Sequence, residues 1–396
     1  MNESFVIDRS ETPRNQVAAA FSRLERTGAQ FFGEAHNPLS MTGGFVVAIF
    51  IICAATGIML SLNFIPTPDR ATLDLFRITN DSAGSLLRGV HRASADLLLL
   101  SLLIHILKIW SRGNFRGSLK TGWVYAILLL PVIGITGWAG YSLGWDQNAA
   151  VLLSWGKELV YAVDSWPIAG WFHLGTILGN PVFFSSGGTE LILKVFGLHL
   201  AGTLGIAILW AFHARNTYTL RLRLPFLNWL GLSIIILIAG AILPIDLENV
   251  RPLDLNNVPT RVQVDGIINF PLLFYPLIGA PLLTALIVLT TWIMAYSPFR
   301  TKDKYLTASV IESNCTGCRL CAQDCPYDAI YMFDHRDSRK LENGRELAAV
   351  IDERCTSCGI CVGSCSFDAI EIPDLPAADI EYQLEEILGK MKGEND

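Results

Sequence analysis

Six stretches of this chain, about 44–64, 90–110, 122–143, 190–212, 226–243 and 273–296, are predominantly apolar over roughly 20 residues each, the length a helix needs to cross a bilayer. No water is available there to bond the backbone, so each spanning segment must satisfy its own N–H and C=O groups and coil into a helix. The chain is therefore expected to form a membrane all-α bundle of about six transmembrane helices. With 51% hydrophobic and 17% charged residues over 396 positions, it still leaves 301–396 for a more polar domain.

Charge sorts the loops. Arg9, Arg14, Arg23 and Arg26 precede the first span, and Lys108, Arg112, Arg116 and Lys120 lie between the second and third. Arg215, Arg221 and Arg223 follow the fourth, and Arg300, Lys302 and Lys304 follow the sixth. The opposite loops mix Arg with Asp and Glu. The positive-inside rule puts both termini in the cytoplasm, in an inner membrane of bacterial or archaeal type. The opening "MNESFVIDRSETPRNQ" lacks a signal peptide's basic-then-apolar order, so the first span is expected to be retained. Residues 17–32 read equally as an interfacial amphipathic helix or an ordinary soluble one. The net charge of −6, concentrated in the tail, speaks against nucleic-acid binding.

Eight of the nine cysteines form two copies of C-x2-C-x2-C-x3-C, "CTGCRLCAQDCPYDAI" at 315–330 and "CTSCGICVGSCSFDAI" at 355–370. Disulfides are disfavoured on a cytoplasmic face, and zinc favours separated Cys pairs around one ion. The runs resemble bacterial 2[4Fe–4S] ferredoxins, in which the fourth cysteine of each run crosses to the other cluster. That resemblance assigns Cys315, Cys318, Cys321 and Cys365 to one [4Fe–4S] cluster, and Cys355, Cys358, Cys361 and Cys325 to the second. It implies a small α+β ferredoxin-like domain over 301–396, with an insertion near 331–350 and a closing helix at 378–392. Ser366 stands where the first copy has Pro326.

Histidines supply the second signal. His91 and His105 bracket "HRASADLLLLSLLIH", and His199 and His213 bracket "HLAGTLGIAILWAFH", at the same interval of 14 residues. At 100° per residue this interval returns to within about 40° of one helix face, and at 1.5 Å per residue it separates the rings by roughly 21 Å. A lone histidine in an apolar helix is ordinarily a hydrogen-bonded core residue. Two helices repeating one interval instead suggest two facing pairs, one towards each side of the membrane, and bis-imidazole pairs hold haem iron axially. Two b-type haems are expected.

These helices, with "GSLLRGVHRASADLLLLSLLIHILKIW", "GWAGYSLGWDQ" and "GGFVVAIFIICAATGIMLSLNFIPT", resemble the cytochrome b/b6 subunit of quinol-oxidising bc1 and b6f complexes. The resemblance covers about 41–215 strongly and 225–296 weakly. It implies that His91 and His199 are the axial ligands of an outer haem, and His105 and His213 those of an inner one. It also places Arg88 against a haem propionate, with Arg92 either assisting or snorkelling to the interface. Gly43 and Gly57, again 14 apart, would let the macrocycle approach the backbone, as would Gly137 and Gly140, with Gly137 taken as the haem-packing position; helix–helix contact is the alternative role.

Departures bear on function. The family's quinol-oxidation motif Pro-Glu-Trp-Tyr corresponds to "GIINFPLLFYPL" at 266–277, which has no glutamate. Asp246, Asp254 and Asp265 nearby read as solvated loop charges, and Gly144 stands where the family usually has proline. Asp96, about 140° away from His91 on the helix, is a candidate proton-relay or quinone-site residue, or a partner for another helix. Glu190 and Lys194 can pair as i,i+4 neighbours. No C-x-x-C-H occurs, so no standard covalent c-type site is expected. Cys53 reads as a small buried residue.

The organisation expected is a cytoplasmic segment at 1–40, a four-helix dihaem core at 41–224, two further spans at 225–300 and the iron–sulfur domain at 301–396. The function expected is electron transfer between cytoplasmic iron–sulfur carriers and the quinone pool, within a multi-subunit and dimeric quinone oxidoreductase. Two alternatives stay open. One is a Q-cycle subunit with Rieske and cytochrome c partners and an added ferredoxin outlet. The other is an anchor wiring a flavin- or metal-containing dehydrogenase or hydrogenase to the membrane.

Overall fold

Long apolar runs make long helices. The computed structural model describes residues 13–113, 115, 119–184, 188–217, 224–242, 253, 267–300, 307–325, 327–334, 346–352, 354–355 and 359–372. The order is α1 (Pro13–Phe32), α2 (Thr42–Ser61), α3 (Ala71–Asn80), α4 (Ser82–Arg112), α5 (Lys120–Ser142), α6 (Gln147–Tyr161), α7 (Pro167–Trp171), α8 (Leu174–Phe183), α9 (Gly188–Thr217), α10 (Phe226–Ile242) and α11 (Tyr275–Arg300). A 3-10 segment, Ile267–Phe274, leads into α11. Helices α2, α4, α5 and α9 and the stretch Ile267–Phe299 are long and apolar enough to cross a membrane. Five of the six expected spans thus reach full length. The remaining one, α10, has 17 described residues, about 25 Å of helix at 1.5 Å per residue. Asp246, Asp254 and Asp265 lie outside the described residues.

Two compact units divide the chain: residues 1–112, 125–211 and 221–295, and residues 113–124, 212–220 and 296–396. In the first, α10 lies against α4 through two glycines. A Cβ built on Gly89 would fall 2.0 Å from the Gly240 carbonyl oxygen, and one on Gly240 would fall 2.6 Å from the Val90 nitrogen. Only glycine permits so close a backbone approach. Helix α1 is tied to the last turns of α4, where Glu25 pairs with Lys108 at 2.7 Å and with Arg112, and Arg14 donates to the Ser111 carbonyl. Lys108 is only 5% exposed, so its charge depends on that carboxylate.

The connection from α5 to α9 is ordered by carboxylates. Asp146 caps α6 by accepting from the Ala149 N–H at 2.8 Å. Asp164 accepts from the Thr176 hydroxyl (2.6 Å) and from the Gly175 and Thr176 amides (2.6 and 2.9 Å). The Thr176 hydroxyl first, then the two amides, hold the Asp164 carboxyl below the usual carboxylate range, against a desolvation effect that raises it. A lowered native pKa stabilises the fold above the unfolded value of about 3.9 and loses that contribution as pH falls through the native value. Protection of the Gly175 and Thr176 amides against hydrogen exchange, corrected for intrinsic rate, is therefore expected to hold at neutral pH and drop in acid below about pH 4. Unchanged protection in acid would show that the carboxylate does not hold this loop.

In the second unit, β1 (Ser309–Val310) pairs antiparallel with β4 (Ile370–Glu371), and β2 (Ile330–Asp334) with β3 (Glu346–Val350). Two short helices, α12 (Leu320–Asp324) and α13 (Ile360–Gly363), complete its described residues after 300. Ala308, Ala329, Ile330, Ala348, Ile370 and Ile372 form a small core with Cys321, Cys355 and Cys361. The 40-residue repeat is visible in the backbone. Asp328 and Asp368 have φ +47° and +50°, and Arg319 and Gly359 have φ +67° and +78°. The ends of the expected insertion at 331–350 are the strands β2 and β3. Residues 335–345, Pro326, Cys358 and the expected helix at 378–392 lie outside the described residues. The whole is a mostly helical membrane protein with a small strand-containing domain.

Candidate electron-transfer site

Helix α4 carries His91 and His105, and α9 carries His199 and His213, each without a break in the helix. The His91 Nδ1 donates to the Cys53 carbonyl on α2 at 3.0 Å, with the Thr56 hydroxyl 3.2 Å away. The His199 Nδ1 donates to the Thr136 carbonyl on α5 at 2.8 Å. Both acceptors are helix carbonyls, and each uses a second lone pair. In each case the residue four positions on is glycine. A Cβ on Gly57 would lie 2.9 Å from the His91 Cε1, and one on Gly140 2.7 Å from the His199 Cε1. The missing side chain lets the ring reach the carbonyl.

A carbonyl can only accept, so Nδ1 carries the proton in both rings and Nε2 keeps its lone pair, the form that binds a metal. The two rings lie 6.3 Å apart between centroids, with their planes at 80°. A first-row metal sits about 2 Å from an imidazole nitrogen, so one ion between two such nitrogens puts the ring centroids about 6 Å apart. The spacing therefore fits two imidazoles that would hold one iron between them.

The other two histidines are also engaged at Nδ1, His105 by a side chain and His213 by a backbone carbonyl. Thr42 Oγ1 and His105 Nδ1 are hydrogen-bonded at 2.8 Å, and a Cβ on Gly43 would lie 3.2 Å from the His105 Cε1. The His213 Nδ1 donates to the Gly122 carbonyl at 2.8 Å.

One expected neighbour goes elsewhere. Gly137 faces Ile268, whose Cγ1 would be 2.1 Å from an added Cβ, so the glycine beneath His199 is Gly140. Gly140→Ala is expected to displace the His199 ring and lower the haem-to-protein ratio. Gly137→Ala should instead strain Ile268, costing about 1–3 kcal/mol of stability with haem stoichiometry kept in the folded fraction. Equal haem loss in the two variants would refute this distinction. Arg88 Nη1 donates to the Thr79 hydroxyl of α3 at 2.5 Å. Glu190 and Lys194 do pair, at 2.7 Å. Cys53 contributes its carbonyl to His91, a role carried by the backbone and invisible in a side-chain reading.

Asp96 points to a different element. Its Oδ1 accepts from the Ile268 N–H at 3.0 Å, at the opening of the 3-10 segment 267–274. It thus acts as a cap supplied by another helix. Ile268 is only 8% exposed, so deleting the acceptor leaves a buried amide unpaired, at about 1–3 kcal/mol. Asp96→Ala is expected to speed hydrogen exchange at Ile268 by about 5- to 150-fold. Asp96→Asn, which keeps an acceptor oxygen, should change it much less; equal acceleration in both would argue against the cap. A carboxylate also reaches this segment from α6, where the Tyr275 hydroxyl donates to Glu158 and its ring stacks on Trp155 at 4.7 Å. Nothing in the local sequence signals that contact.

In the cysteine-rich domain, Cys315, Cys318, Cys321 and Cys365 line one cavity, closed by Met332, Phe367 and Ile370. Cys325 is not among its walls. No three metal-ligating side chains among the described residues are placed to hold an ion. Thiols spaced around a cavity suit a multi-atom cluster better than a single zinc ion, which draws its sulfurs to about 2.3 Å. Among the described residues, backbone amides point at sulfur, including Ala308 to Cys355 (3.4 Å), Ala329 to Cys325 (3.3 Å) and Ala369 to Cys365 (3.3 Å). Such hydrogen bonds stabilise thiolate and tune a cluster's potential. Ala329 and Ala369 are equivalent positions of the repeat.

Paired, carbonyl-anchored histidines on membrane-spanning helices, joined to a cysteine-lined cluster domain, define a membrane electron-transfer subunit. Comparison with known proteins agrees. The family described as Cytochrome b/b6/petB matches residues 35–218, and a 4Fe-4S dicluster domain matches residues 314–369. Cytochrome b6 of Emiliania huxleyi is 33% identical over 159 residues, covering 40% of this chain and 70% of that protein. Cytochrome b6 of Euglena gracilis is 30% identical over the same length and shares. A solved chain of a hyperthermophilic respiratory complex III shares the fold, with a TM-score of 0.51 and 17% identity over 66% of this chain and 75% of that one. The chain belongs to the cytochrome b/b6 family and carries a 4Fe–4S domain at its C-terminal side; haem b and iron–sulfur clusters are its cofactors.

Proposed function

We propose that this chain moves electrons between cytoplasmic iron–sulfur carriers and quinone in the bilayer, with two [4Fe–4S] clusters and two b-type haems, as one subunit of a multi-subunit quinone oxidoreductase. The observation that carries the reading is the His91–His199 pair, with Nε2 available on both rings at bis-imidazole spacing, in the same chain as a four-cysteine cavity. His105 and His213 hold the second haem, a reading supported by the equal interval on both helices and by their anchored Nδ1 atoms. Cys315, Cys318, Cys321 and Cys365 hold one cluster, and Cys355, Cys358, Cys361 and Cys325 the other. Bound in these places, the groups supply one-electron transfer. The chain's own residues bind and orient them, and the apolar helices exclude water. Both termini and the cluster domain are cytoplasmic in this reading, as the loop charges favour, and the other subunits of the complex supply the soluble donor or acceptor.

A second reading, quinol oxidation with a Rieske partner, is favoured by the Glu158 carboxylate on Tyr275 beside a segment that lacks the family's own glutamate. A redox titration of the purified complex with optical and EPR readout tests the main reading. Two b-haem transitions and two [4Fe–4S] signals are expected, and His105→Ala should abolish electron exchange between clusters and quinone. A single haem, absent cluster signals, or retained exchange in that variant would overturn it. Reduction of a c-type cytochrome by quinol would favour the second reading.

A further inference from the structure

At the His91 end of the helices, α2, α3, α4 and α10 enclose a groove of about 890 Å³, within the roughly 300–1,000 Å³ usual for small-molecule sites. Its walls are apolar, formed by Met59 and Leu60 of α2, Leu87 and Val90 of α4 and Leu237 of α10. Met59 and Leu237 are exposed, so the groove opens sideways on the apolar surface of the spanning helices. One end is polar, where Asn63, Arg70, Arg77, Asp74 and Asp81 line it.

We propose that this groove binds an isoprenoid quinone or quinol, with its head at the Arg70 end and its tail along the apolar walls. The charges at the polar end select this occupant. Arg70 and Arg77 face the buried Asp74 at 3.1 and 3.8 Å, and Asp81 adds a second carboxylate, so the end is formally neutral. A phosphate headgroup needs net positive charge there, whereas a quinone offers two neutral carbonyl oxygens that need only donors. The Arg70 Nε is such a donor, buried and with no hydrogen-bond partner among the described residues. The carboxylates and Asn63 can in turn accept from the hydroxyls of a quinol.

The groove also reaches the redox site. Thr56 lines it, and the Thr56 hydroxyl is 3.2 Å from the His91 Nδ1. Val90, on the same wall, is the chain neighbour of His91. One side chain therefore separates a groove ligand from the imidazole. The groove is distinct from the 267–274 segment that Asp96 caps, none of whose residues line it. The inference rests on the quinone reading above and locates the quinone within it.

Photolabelling with an azido-quinone, on the full-length complex in nanodiscs and mapped by mass spectrometry, tests the proposal. Label is expected on peptides spanning 56–90, displaced by unlabelled quinone. Leu87→Trp, which fills the groove, should cut labelling at least 10-fold with the haem spectrum unchanged, and Arg70→Ala should weaken retention of extractable quinone. If Leu87→Trp loses its haem spectrum, Met59→Trp fills the same groove from α2 and must give the loss of label. Label mapping elsewhere, undiminished labelling in a groove-filled variant that keeps its haem spectrum, or competition by phospholipid but not quinone would overturn this site while leaving a quinone function standing. Absence of any quinone label on the chain would overturn the wider reading as well.

Discussion

Replacing His199 by alanine is expected to remove one b haem, halving the haem-to-protein ratio, while leaving the iron–sulfur EPR signals in place. The reason lies in how little else holds that ring pair. His91 and His199 meet across 6.3 Å with both Nδ1 protons committed to helix carbonyls, so the two Nε2 atoms are the only nitrogens of the pair left to ligate. With alanine on one side, His91 would keep its orientation but would have to hold the iron alone. The cavity gains the volume of an imidazole with no polar group to replace it. His213, on the same helix, keeps its bond to the Gly122 carbonyl, so the second haem should survive. A pyridine haemochrome assay and a reduced-minus-oxidised spectrum check this. Full haem content in the His199 variant would mean that a different residue is the ligand.

The second large effect concerns which cysteines act together. Cys365→Ser is expected to damage the same cluster as Cys315→Ser, and Cys325→Ser the same one as Cys355→Ser. If each run held its own cluster, the pairing would be reversed. The structure favours crossing because Cys365 shares a cavity with Cys315, Cys318 and Cys321, and Cys325 does not. Two EPR-distinguishable clusters make the test direct. Each variant should lose one signal entirely, and the four variants should sort into two classes. Cys315 and Cys325 variants falling into one class would sink the assignment.

Much of this was readable in the order of residues because it is periodic. The interval between histidines survives as geometry only where the helix is continuous, and α4 and α9 are continuous over both pairs. The cysteine runs are local, and local spacing determines local shape. The features that escaped are those set by contacts between distant segments. Which glycine lies under His199 depends on the rotational setting of α5 against α9. Gly137 and Gly140 differ by about 300° around the helix at 100° per residue, yet the sequence offers no means to choose between them. Asp96 is a lone carboxylate in the chain and a cap in the fold, because its partner, Ile268, is 172 residues away. The contact between Glu158 and Tyr275 is hidden for the same reason.

The anchoring of the imidazoles has a consequence for how this protein can change over time. A main-chain carbonyl has no codon of its own. His91, His199 and His213 hang from the carbonyls of Cys53, Thr136 and Gly122, which persist through any substitution that preserves the path of the helix. Substitution of the acceptor residues themselves has little purchase on these hydrogen bonds, whereas Gly57 and Gly140, packed against His91 and His199, must stay glycine. His105 is the exception, since its partner is the Thr42 side chain, which a single base change can delete or restore. Of the four histidines, it is the one anchored by a side chain in place of a backbone carbonyl.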